Sequence, residues 1–344
     1  MLAAHINYDN LLFLLLPTIL LLTLRCAEAV RHGSAVSMIT LLCLISLCLL
    51  TSIVKYAFLP IFLAVLVYLT IVIIRQPAKK RTAVLRSFWP DFRKLSLPIK
   101  LALVGMIIIS GGLFFERYGI NALRYHSLVP DCDQVLSVEH CSQYGPWSRD
   151  QQLRALRDEA TEPSPPLFIL HWFNGMMYRL FFAINYNYDT RPPLPLPLIA
   201  GYIVAIFGLI LTICYAHRLN RQSHAVWLFE IVIIIYGLSI FGNNFKSYVG
   251  LGELVAVNGR YFIPLMPLIF VVIGLAYRQW LTGRPSAMKI KAVSVIVAFV
   301  MLVQGGGLLT FLIRSERNWY WPNPTVISVN ELAQRAARAF VLLK

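Results

Sequence analysis

The most regular feature of the chain is a succession of long apolar runs, each close to the roughly 20 residues that an α-helix needs to cross the hydrocarbon core of a bilayer. Eight are legible: Leu11 to Leu24, Val36 to Val54, Tyr56 to Ile74, Leu97 to Phe115, Leu194 to Ala216, Ala225 to Phe241, Tyr261 to Tyr277, and Ala292 to Ile313. The second and third form one stretch interrupted only by Lys55. As a single helix it would be about 58 Å long at ~1.5 Å per residue, too long for one crossing, so the pattern predicts a tight hairpin at Lys55. The expected fold is all-α, a polytopic transmembrane helical bundle of about eight spans with extracytoplasmic interfacial helices. The loops divide it into four parts: an N-terminal four-span bundle over 1–115, an extracytoplasmic segment over 116–193, a C-terminal four-span bundle over 194–314, and an extracytoplasmic tail over 315–344.

Composition agrees with that pattern. Of 344 residues, 58% are hydrophobic and 14% charged, whereas soluble domains carry about 25% charged residues. The net charge of +15 would suit nucleic acid only if the basic residues were gathered on one water-facing surface with stacking or groove-reading elements. Here they are sorted by membrane side. With the N-terminus outside, sixteen of the 31 lysines and arginines fall on inside loops, where the only acids are Glu28 and Asp91. The outside segments come out nearly neutral, which is the bias that cytoplasmic loops show. This reading places both termini on the extracytoplasmic side and excludes nucleic acid as a partner. The short Met1 to Asn10 lead has no positive n-region or cleavage site, so an additional preceding span is expected in related chains.

Cys132 and Cys141 share the long outer segment, and in an oxidising compartment a disulfide between them is expected; two unpaired thiols are the alternative. Zinc finds only His140 as a nearby nitrogen ligand. Within this segment Ser148 to Thr161 reads as an exposed helix that Pro163, Pro165 and Pro166 stop. Leu167 to Ile184 is apolar and aromatic but carries His171, Asn174 and Arg179 among Trp172, Tyr178, Phe181 and Phe182. It reads as an interfacial helix, either a plain anchor or one wall of a polar substrate groove. In the tail, Val329 to Leu343 sets Glu331, Arg335 and Arg338 on one side and Leu332, Ala336, Ala339, Phe340 and Leu343 on another, an amphipathic stripe suited to the outer membrane surface.

Phosphate-binding glycine loops, His-Glu-x-x-His, Cys-x-x-Cys and Gly-x-Ser-x-Gly are all missing, so nucleotide-driven pumping, zinc proteolysis and serine-elbow hydrolysis have no support. No cofactor is implied. The distinctive run is Asn258-Gly259-Arg260-Tyr261-Phe262-Ile263-Pro264-Leu265-Met266-Pro267, at the outer entry of the seventh span. A guanidinium there can fork onto a phosphate, Gly259 permits close backbone approach, and Tyr261 supplies an aromatic at headgroup depth. Pro264 and Pro267 free backbone groups that a polar ligand can satisfy. The plain alternative is that Arg260 and Tyr261 are an interfacial anchor pair.

This run resembles the Gly-Arg-Tyr-x-x-Pro-x-x-Pro signature in the later half of a family of bacterial polytopic membrane proteins related to the C-type membrane glycosyltransferases, which use polyprenyl-phosphate sugars. Asn7-Tyr8-Asp9-Asn10-Leu11 and Leu50-Thr51-Ser52-Ile53-Val54-Lys55 also look like pieces of that fold. The resemblance implies a protein of the bacterial cytoplasmic membrane that handles a polyprenyl-phosphate-linked sugar at the outer leaflet. Arg260, Tyr261, Gly259, His171 and Arg179 would then be its substrate-binding residues. Such enzymes place an essential acid in the first extracytoplasmic loop, and this sequence starts at about the point where that loop would end. Asp9, Asp131 and Asp133 are the candidates to replace it, with Glu139 and Asp150 behind them. The alternatives are a non-catalytic accessory subunit working with a partner membrane protein, or a polar-lipid transporter, which predicts polar residues deep in several spans. Glu230 is the only ionisable residue placed inside a span, where a bond to Arg218, Arg221 or His224 is expected.

Overall fold

The computed structural model describes residues 8–33, 37–156, 164–181, 196–255, 257, 259–303 and 323–342. Among them there is no β-strand; helices follow one another in two compact units.

The first unit is built on five long helices: α1 (Tyr8–His32), α2 (Met38–Val54), α3 (Leu59–Ile74), α5 (Leu97–Phe114) and α12 (His224–Leu251). Their composition explains them, since runs rich in Leu, Ile and Val satisfy their backbone groups within the helix, and α1 continues through Pro17. Hydroxyls inside the apolar runs do the same. Thr23 donates to the Ile19 carbonyl, Thr51 to Leu47 and Ser52 to Cys48, each one turn back. The hairpin falls at Lys55, where the backbone is extended (φ −148°) between α2 and a short 3-10 turn, Tyr56–Phe58. The bundle directions are fixed by side-chain bonds at its two ends. Tyr118 donates to the Ser52 carbonyl and Phe62 meets Phe114 edge-on, so α5 runs parallel to α2 and antiparallel to α3. Tyr68 donates to the His224 carbonyl at 3.3 Å, so α12 starts where α3 ends.

Two departures from the expected spans have simple causes. α5 does not stop at Phe115: it continues through a five-residue π-helical stretch, Phe115–Gly119, into α6 (Ile120–Tyr125). The π stretch turns Tyr118 inward, leaving it 2% exposed, and such insertions re-aim side chains without ending a helix. The basic stretch after α3, which lacks an apolar run, forms α4 (Ala78–Lys94), a helix in which Pro90 is tolerated. α4 packs on α1 and α2.

The opposite end carries α7 (Cys132–Val135), α8 (Val138–Ser142) and α9 (Gly145–Leu156). Cys132 and Cys141 are joined by a disulfide with Cα atoms 5.8 Å apart. That bond clamps two helices too short to persist alone. α9 begins at Gly145, ahead of the expected Ser148, and packs on α12.

The second unit contains α10 (Pro165–Phe181), α11 (Leu196–Gln222) up to Leu219, a 3-10 helix Gly259–Leu265, α13 (Met266–Leu281), α14 (Ser286–Val303) and α15 (Pro324–Leu342). α11 and α13 approach closely: a Cβ on Gly208 would lie 3.0 Å from Ile273 Cγ2, and Phe207 packs edge-on against Tyr277 and Trp280. Small residues at such crossings are how membrane helices gain contact. α15 is the amphipathic tail helix, with Glu331 and Arg335 paired one turn apart at 4.0 Å.

The sequence-derived division into four parts follows the loops, whereas packing draws α12 into the unit with the N-terminal helices. Among the described residues, six helical stretches are long and apolar enough to cross a membrane: Leu11–His32, Tyr56–Ile74, Leu97–Tyr125, Ile203–Gln222, His224–Leu251 and Tyr261–Leu281. Met38–Val54 is apolar but shorter, and the end of the eighth run, beyond residue 303, lies outside the described residues.

Candidate functional site

In the second unit, the run from Gly259 to Pro267 folds as its prolines dictate. Pro264 and Pro267 have no N–H to donate, so the chain enters as a tight 3-10 turn and becomes α-helical only at Met266, with Pro267 in the first turn, where a missing N–H costs nothing. Gly259 and Pro264 are buried, Leu265 fully so, and Tyr261 is half-buried.

α10 lies directly on this turn. Trp172 meets Phe262 edge-on with ring centroids 6.2 Å apart. Gly175 is held so close to Val257 that a Cβ would sit 2.9 Å from the valine Cγ1. Phe168, Met176 and Met177 are also buried on α10. The structure thus brings together the two segments that carry all five substrate-binding candidates, His171 and Arg179 on α10 and Gly259, Arg260 and Tyr261 on the turn. His171 is exposed. Position 179 is one turn beyond Gly175, in helical register with the face that meets the turn. The side chains of Arg179 and Arg260 lie outside the described residues.

Sequence reading passed over Gly175 and Trp172 as contact residues. A signal was present: an isolated glycine inside an aromatic helix marks close backbone approach.

Two of the acids have other partners, Asp131 and Asp150. Asp131 is the N-cap of α7: its side chain accepts the backbone N–H of Gln134, and the Gln134 side chain returns the bond to the Asp131 N–H at 3.0 Å. This reciprocal capping box explains why an acid stands there. Asp133 is exposed in the first turn of α7, Glu139 in that of α8, where negative charge complements the helix dipole. Asp150 accepts from Arg149 at 2.6 Å. Asp9 opens α1, and its side chain lies outside the described residues.

Glu230 differs from expectation in its partner. It accepts a hydrogen bond from Asn220 Nδ2 at 2.9 Å, across the α11–α12 turn, and not one from Arg218, Arg221 or His224. The polar amide reaches it because Asn220 lies on the last turn of α11, one helical turn before Ser223 opens α12. Asn220 Oδ1 is buried without a hydrogen-bond partner. Nearby, the Arg75 guanidinium stacks over Trp227 at 4.1 Å, which anchors the ends of α3 and α12 together.

Among the described residues, no three His, Cys, Asp or Glu side chains gather as metal ligands. The apolar helices define the class: a multi-pass α-helical membrane protein. No family model, curated protein or solved structure matches the chain. The resemblance of the Gly259 to Pro267 run to membrane glycosyltransferases therefore rests on those residues.

Proposed function

We propose that the protein is a glycosyltransferase-like membrane protein that binds a polyprenyl-phosphate-linked sugar at the outer leaflet of a bacterial cytoplasmic membrane, through the surface formed by α10 and the Gly259–Leu265 turn. The observation that carries the proposal is the packing of α10 on that turn, with Trp172 edge-on to Phe262, so that the segments bearing Arg179 and Arg260 adjoin. A phosphate needs forked donors and a site at headgroup depth; two adjoining backbone segments that each carry an arginine and an aromatic residue, Trp172 on α10 and Tyr261 on the turn, suit both. Eight spans with both termini extracytoplasmic complete the reading. The gathering of Arg31, Arg75, Lys80, Arg81 and Arg221 at the end of the first unit opposite the disulfide supports that orientation.

A second reading, an accessory subunit that binds the lipid without turning it over, is favoured by the acids. Asp131 is committed to a helix cap and Asp150 to Arg149, leaving neither poised as a general base.

Purified protein in nanodiscs, titrated with a radiolabelled polyprenyl-phosphate sugar, tests both. A charge-assisted hydrogen bond is worth ~1.5–3 kcal/mol, so Arg260→Ala is expected to weaken donor binding by about 10- to 150-fold. Unchanged binding refutes the site. Binding with no sugar transfer selects the accessory reading.

A further inference from the structure

α4 fills most of the connection between α3 and α5, and the geometry of the bundle determines how it must lie. α3 ends, α1 turns into α2, and α5 begins, all at one end of the first unit, because α5 rises parallel to α2 and meets its far end at the Tyr118 to Ser52 bond. A helix of 17 residues is about 25 Å long. With both of its ends tied to the same end of the bundle, α4 runs along that end face. Its Lys80 stem passes the α1–α2 turn, where a Cβ on Gly33 would lie 3.6 Å from the lysine Cδ.

The sequence of α4 has two sides. At helical spacing Val84, Leu85, Phe88, Trp89 and Phe92 fall on one side, and Lys79, Arg86 and Arg93 recur along a flank. Lys80, Arg93 and Lys94 are exposed, and the helix has one acid, Asp91, which pairs with Lys94 at 3.6 Å. Around it the same end face carries Arg31, Arg75 and Arg221.

We propose that α4 lies in the headgroup layer and docks this end of the protein onto anionic phospholipids. Two features commit the surface to that occupant. The excess positive charge complements an anionic leaflet, to which each nearby Lys or Arg contributes roughly fivefold in binding. The Leu85, Phe88 and Trp89 positions give this basic segment the composition of an interfacial helix, which an acidic soluble partner would not require. A second copy of this end would bring like charges together. The proposal is independent of the sugar site, and its failure would leave that reading standing.

The test is hydrogen exchange of the full chain in nanodiscs of pure phosphatidylcholine against nanodiscs with about one-third phosphatidylglycerol. Backbone amides of 78–94 are expected to exchange at least about tenfold more slowly in the anionic discs, with the difference lost in molar salt. The variant Lys80→Gln/Arg93→Gln/Lys94→Gln should abolish the difference while amides of α2 and α5 keep their protection. The charge-conserving Lys80→Arg/Arg93→Lys/Lys94→Arg should retain it. Equal exchange in both lipids, or protection that survives the glutamine variant, overturns the proposal. Protection that instead tracks the number of protein copies per disc in pure phosphatidylcholine assigns the surface to self-association and overturns it as well.

Discussion

Substituting Gly175 by alanine would set two opposed effects against each other at the contact between α10 and the Gly259–Leu265 turn. In an isolated helix the change stabilises by about 1 kcal/mol, because glycine has the greater backbone freedom to lose. Here the new methyl would come within 2.9 Å of Val257 Cγ1. Val257 is 2% exposed, and a β-branched side chain has few other rotamers to adopt, so backbone must shift. Overpacking of this kind costs about 1–3 kcal/mol, leaving Gly175→Ala neutral to ~2 kcal/mol destabilised. Val257→Ala alone should also destabilise, by about 2 kcal/mol at ~0.8 kcal/mol per buried carbon plus a cavity term. Combined, the added methyl occupies the vacated space, and the double variant should be more stable than the sum of the singles by at least ~1 kcal/mol. Thermal unfolding in detergent, with hydrogen exchange over 165–181 and 259–265 as the local readout, measures the cycle. If Gly175→Ala is stabilising by the full helical increment and the two changes add, α10 does not lie on the turn, and the candidate site dissolves with it.

In the first unit, Glu230→Gln should be tolerated within about 1 kcal/mol, since a glutamine oxygen can still accept from Asn220 and its amide can reach the buried, partnerless Asn220 Oδ1. Glu230→Ala, by contrast, should cost ~1–3 kcal/mol by leaving that amide wholly unpaired; chemical unfolding of both variants in micelles checks the contrast, and a tolerated alanine refutes it. Reducing the Cys132–Cys141 disulfide, or replacing both cysteines by serine, releases a loop of sequence separation 9. The expected loss is about 3 kcal/mol of local stability in α7 and α8, read as faster proteolysis within 130–145 while the long helices stay intact. Unchanged cleavage would show that the α7–α8 fold does not depend on the bond.

Much of the architecture was legible because a bilayer imposes a one-dimensional code. Apolar runs of fixed length must be helices, as no other single segment satisfies its own backbone in lipid, and Lys55 alone marks where α2 must turn back. The capping role of Asp131 is equally local, needing only Gln134 three residues on. The prolines of the 259–267 run likewise foretold an irregular helix entry. What those local rules leave open is partnership between distant segments. Nothing near Gly175 says that Val257 lies across from it, nor does Glu230 announce Asn220 over the nearer His224 and Arg221, because a side chain's partner depends on how helices rotate and cross when packed. The extension of α5 past Phe115 is of the same kind. Its π turn exists so that Tyr118 can reach the Ser52 carbonyl, a bond between residues 66 apart, and α12 joins the N-terminal helices through Tyr68, Trp227 and Arg75. Burial in lipid is a property of each segment's own composition, whereas contact among helices that are all equally apolar is settled by shape, and shape appears only when they are assembled.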